Sequence, residues 1–127
     1  MYLKCESKGF NEAKNFETNK TERRVIKSHF QYWKVDVANS QLIGAGGDVW
    51  DTAKIVNGVA IEEEEKPRDK KGLSLSYKFS IQIDPPGPIF LRSISRSDFG
   101  SYLMNGTGMC KGIDESEFEK ARKEAKS

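Results

Sequence analysis

Residues 73–83 read Leu-Ser-Leu-Ser-Tyr-Lys-Phe-Ser-Ile-Gln-Ile, with an apolar side chain at every second place and Ser, Lys or Gln between. Successive side chains on a strand point to opposite faces, so this alternation predicts a strand with one buried face and one wet face. The run Asp84-Pro85-Pro86-Gly87-Pro88 ends it, because proline lacks the N–H a ladder needs and holds its predecessor extended. Alternation resumes with Ile89, Leu91 and Ser93 on one parity and Phe90, Arg92, Ile94 and Arg96 on the other. The two runs predict a hairpin about the proline turn.

Residues 25–37 form a second long extended stretch, rich in β-branched and aromatic side chains. Its phase slips: Ile26, Phe30 and Tyr32 share one parity while Trp33, Val35 and Val37 share the other. A bulge near Tyr32-Trp33 is the expected remedy. After a turn at Asn39-Ser40, residues 41–45, 49–51, 53–56 and 59–62 read as short strands. Asn57-Gly58 suits a two-residue hairpin turn, because both residues tolerate positive φ.

Three segments lack a strand period. Residues 6–21 contain Phe10 and Phe16 without sustained alternation, and are expected as a long loop or a short helix. Residues 62–72, Glu-Glu-Glu-Glu-Lys-Pro-Arg-Asp-Lys-Lys-Gly, have no apolar side chain and are expected as a mobile charged loop. Residues 114–126 predict a helix, with Asp114 or Ser116 as N-cap and good helix formers behind it. Its apolar stripe is only Phe118, Ala121 and Ala125, so it rests on a sheet instead of standing alone. Residues 1–127 thus read as a single, mainly β domain, an antiparallel sandwich or partly closed barrel of six to eight strands with a C-terminal helix.

Composition narrows the function classes. Twenty-one Lys and Arg against nineteen Asp and Glu leave a net charge of +2, too little for the long-range attraction behind most nucleic-acid binding. Aromatics and cations do interleave at Arg23, Arg24, Lys27, Phe30, Tyr32, Trp33 and Lys34, the ingredients of a single-strand nucleic-acid binder. That reading ranks low, because part of this aromatic set is needed for the core. No apolar run is long enough to span a membrane, and Tyr2-Leu3 lead directly into Lys4, Cys5 and Glu6 without the apolar stretch of a signal peptide.

The chain has two cysteines, Cys5 and Cys110, which are either bridged or two quiet buried thiols. A bridge is favoured, since closing a loop of roughly a hundred residues removes about 5 kcal/mol of denatured-chain entropy in the simplest treatment. Bridged, the protein belongs to an oxidising compartment and is expected to be periplasmic or secreted; unpaired, cytoplasmic. Neither cysteine has a further Cys or His at metal-ligand spacing, so no metal and no cofactor is expected.

Catalytic patterns are sparse. His29 is the one histidine and has no sequence-adjacent partner, so it reads as a half-buried polar side chain with a single hydrogen bond. Gly44-Ala45-Gly46-Gly47 starts like a dinucleotide fingerprint, but Val49 stands where the third glycine belongs and no helix pattern follows. An enzyme is disfavoured.

The two ends carry a resemblance. Leu3-Lys4-Cys5 early in the chain, then Arg96 and Gly100, then Gly108, Cys110 and Lys111, are similar to small exported bacterial β proteins of unknown function with a Cys near each end. Ser95 departs from that pattern, in which an acidic residue often precedes the arginine. The resemblance implies a periplasmic β protein and supplies no activity. The leading expectation is a non-catalytic periplasmic protein-binding domain, such as an inhibitor or an immunity protein that neutralises a toxin or enzyme. Trp33, Trp50, Arg92, Arg96 and Tyr102, types that dominate interface energetics, are its contact candidates. The alternative is a carrier of a small apolar ligand in a barrel interior, for which an unfilled interior is the deciding observation.

Overall fold

The computed structural model describes residues 1–127. Nine strands and one helix follow in order: β1 (Tyr2–Asn15), β2 (Lys20–Asp36), β3 (Gln41–Gly44), β4 (Asp51–Thr52), β5 (Lys54–Val56), β6 (Val59–Lys66), β7 (Ser74–Ile83), β8 (Pro86–Arg96), β9 (Gly100–Ile113) and α1 (Glu115–Ala125). They form one antiparallel sheet in the order β4-β3-β2-β1-β9-β8-β7-β6-β5. Only Ala53 separates β4 from β5 along the chain, and it is buried, so the two ends of the sheet meet and curl it into a nearly closed barrel. Nine strands stand where six to eight are expected, since β4 and β5 are stubs split at that residue.

The centre of the sheet is the pairing of the first strand with the last. β1 and β9 run antiparallel from Tyr2 opposite Ile113 to Asn15 opposite Gly100. Cys5 and Cys110 lie directly opposite each other in this ladder and form a disulfide, a bond of oxidising compartments. Around it Leu3, Val35, Leu42, Ala53, Ala60, Phe79, Ile81, Ile83 and Ile89 make one apolar core at the closed end of the barrel.

The outer face of the same end is covered by α1. Phe118 is buried beside the ring of Tyr2, 5.4 Å between centroids. Asp114 is the N-cap: its carboxylate accepts the Glu117 N–H at 2.9 Å and the Ser116 hydroxyl at 2.8 Å. Lys4 and Glu117, 3.9 Å apart, tie the helix to β1. No helix is long and apolar enough to cross a membrane.

Three local expectations need correction. Residues 6–15 are strand, not loop or helix, because β2 and β9 pair with them on both sides. Residues 62–66, the first half of the expected mobile loop, continue β6; Ser76 donates to Glu65 at 2.6 Å and Lys78 lies 3.8 Å from Glu63. The phase slip in β2 lies opposite the step from Ser7 to Gly9, between Ile26 and His29, and not at Tyr32-Trp33. Ile26 therefore lies on the same inner face as Trp33.

The Asn57-Gly58 turn forms as expected, with φ of 51° and 76°. The proline turn is tighter than expected: Ile83 pairs with Pro86, leaving Asp84 and Pro85 as the turn and carrying Pro86 and Pro88 into β8. Replacing both cysteines by alanine is expected to lower stability by about 2–5 kcal/mol, read as a lower urea midpoint with a similar slope. An unchanged midpoint would show that the strand pairing holds without the bridge.

Candidate functional site

Residues directly opposite in an antiparallel ladder share a face, so the register lays out the barrel interior row by row. The row nearest the core is Ile81, Ile89, Gly108, Ser7 and His29. Next comes Phe79, Leu91, Gly106, Gly9 and Ile26, and above it Tyr77, Ser93, Met104, Asn11 and Arg24. The outermost is Leu75, Ser95, Tyr102, Ala13 and Glu22. Large apolar side chains sit on β7 and β8, while β9 and β1 contribute mostly glycine, serine and other small residues. The interior is filled at the core end and under-filled above it.

The under-filled part is a cavity of about 150 Å³. Phe79, Ile89, Leu91 and Met104 form its apolar side, and Ser7, Asn11, His29 and Gln31 its polar side on β1 and β2. Ser7 is buried. Asn11 Oδ1 is buried without a hydrogen-bond partner. The His29 ring is exposed, with Nδ1 3.2 Å from the Lys27 carbonyl oxygen, so the expected single hydrogen bond is present without the expected burial.

At the level of the outermost row lies a separate trough of about 880 Å³, bounded by Ala13, Leu75, Ser95, Arg96, Phe99 and Tyr102. Phe99 is 79% exposed at its mouth.

The glycines fall into two kinds. A Cβ on Gly9 would collide with the Asn105 carbonyl oxygen and one on Gly108 with that of Glu6, so close backbone approach requires glycine at both. Gly106 is different: its Cβ would meet nothing nearer than the Lys8 carbonyl oxygen at 3.9 Å and Leu91 Cβ at 4.0 Å, and its φ is not positive. Glycine in a strand interior weakens the strand, and no steric demand explains it here. What it preserves is the space beside Leu91.

Beside the interior, where β6 runs past the short β5, Glu62, Tyr77 and Asp51 line a second recess. Burial pushes the Tyr77 phenol up to about 12, reinforced by the negative charges of Glu62 and Asp51, so it stays a neutral donor at any physiological pH. Burial also raises the Glu62 carboxyl, with Asp51 adding to the effect and the Tyr77 hydroxyl opposing it. Glu62 Oε1 and Trp33 Nε1 are both buried without a partner.

The contact candidates named from sequence do not form one patch. Arg96 and Tyr102 come together at the trough. Trp33 points inward and packs on Phe79, ring centroids 5.5 Å apart. Trp50 precedes β4, with Lys34 Nζ 5.8 Å from its ring, and Arg92 is exposed on the outer face of β8. Sequence reasoning passed over Ser7, Gly9, Asn11, Met104 and Gly106. Their signal was an alternation in which the inward members are small or polar, which a search for apolar periodicity does not register. Comparison with family models, curated proteins and solved structures finds no match to this chain.

The folded protein holds the Glu62 proton more tightly than the unfolded chain, whose carboxyl titrates near 4.5. Stability therefore falls as pH rises from below that value through the raised one. Glu62→Gln is expected to raise the urea midpoint at pH 7, with the advantage fading below about pH 4. Equal midpoints across the whole range would show that the carboxyl carries no burial penalty.

Proposed function

We propose that the protein is a non-catalytic binding domain that receives a small, largely apolar guest in the under-filled half of its barrel. The observation that carries this reading is Gly106, a strand glycine without a steric requirement, facing a cavity of about 150 Å³. A domain selected for stability alone would place a β-branched residue there, because strands favour such side chains and well-packed interiors leave few voids. A periplasmic or secreted location accords with the disulfide.

The test is a titration of the oxidised protein with toluene, followed through the methyl resonances of Ile89, Leu91 and Met104. Saturable shifts confined to these methyls are expected. Gly106→Val, whose added methyls occupy the cavity, is expected to abolish the shifts while matching or exceeding the stability of the parent. No saturable shift with toluene or with any other one-ring aromatic probe, each up to its solubility, would end this reading.

Protein recognition, the expectation from the sequence, draws on one separate observation. β3 pairs with β2 only over residues 33–36, which leaves the outer edge of residues 20–31 without a neighbouring strand. Lys20, Arg23, Arg24 and Lys27 decorate this edge, so it suits an extended acidic segment that adds to the sheet by main-chain hydrogen bonds. Amide hydrogen exchange across residues 20–31 is expected to slow when an alternating Asp/Val peptide is added. Unchanged exchange removes this second mode.

A further inference from the structure

The two sides of the cavity define the chemistry of its occupant. A void of about 150 Å³ is the size that holds a single six-membered aromatic ring. Phe79 offers a ring and Met104 a thioether, and both favour aromatic contact. Behind them Trp33 packs against Phe79. On the opposite side Asn11 Oδ1 is a buried acceptor without a donor. An unmet acceptor in such a place costs free energy that a guest's hydroxyl recovers. A carboxylate would bring a second set of lone pairs against Oδ1 and a charge into a half-apolar site, both unfavourable.

Resting on the binding reading above, we propose that the guest is a neutral hydroxylated aromatic compound of one ring. The ring lies against Phe79, Leu91 and Met104, and its hydroxyl donates to Asn11 Oδ1.

The experiment compares phenol, anisole and toluene as probes of the oxidised protein, read by the same methyl resonances and independently by Trp33 emission. Phenol is expected to bind about tenfold more tightly than anisole or toluene, the discrimination typical of one hydrogen bond to a buried acceptor. Asn11→Leu is expected to erase that preference while toluene still binds. Asn11→Ala, which removes the acceptor outright, serves the same purpose should the leucine variant fold poorly. Equal affinities for the three probes, or tighter anisole, would overturn the hydroxyl assignment and leave the cavity reading standing. Failure of all three to bind would remove both.

Discussion

Pairing the first strand with the last over their full lengths is the constraint on which the rest of the molecule depends. Fourteen register positions join β1 to β9, and bringing such distant segments together is costly in chain entropy. The Cys5–Cys110 disulfide offsets part of that cost by tying the same strands in the unfolded chain. Once β1 and β9 are joined, β2 to β4 on one flank and β8 to β5 on the other add by short connections, and Ala53 brings the flanks round to meet. The clasp also sets the site. Ser7, Gly9 and Asn11 on β1 face Gly108, Gly106 and Met104 on β9, and these are the rows immediately above the bridge.

The barrel divides its labour along its axis. At the closed end, aliphatic side chains, the disulfide and the helix-borne Phe118 concentrate the burial that stabilises the fold. At the other end β2 and β6 run on without outer neighbours, and bare strand edges invite unwanted pairing. The chain guards them with charge: Lys20, Glu22, Arg23, Arg24 and Lys27 on β2, and Glu63, Glu64, Glu65 and Lys66 on β6. This explains why so polar a chain, with a mean hydropathy of −0.67, folds around one core. Its charges belong to lips, while its few large apolar side chains belong to the closed end.

Much of the architecture was legible in the pattern of residues. The strict alternation over residues 73–83 matches β7, the cap and helix formers after Asp114 match α1, and Asn57-Gly58 makes its turn. Each of these rests on local physics, whether period, cap chemistry or tolerance of positive φ. The cysteine count favoured a bridge and the bridge is present. Where local signals were weak, as in residues 6–15, pairing on both sides decided for strand over loop or helix. Residues 62–66 were claimed for the sheet by β7 in the same way.

The site was hardly legible at all, for a reason that lies in how it is built. A cavity is made of side chains that are absent, so it leaves glycine, serine and asparagine at inward positions and erases the apolar rhythm that marks a strand. Which glycines are compelled by a neighbouring carbonyl, as Gly9 and Gly108 are, and which merely leave room, as Gly106 does, depends on strands distant in the chain. Sequence by itself determined the β class, the helix, the turns and the partners of the bridge, because propensity, periodicity and a count of two thiols act locally or leave a single pairing. Only tertiary structure decided the register, and with it the closed and open ends of the barrel and the empty volume between them. Register is a relation between strands, and it alone fixes which side chains meet.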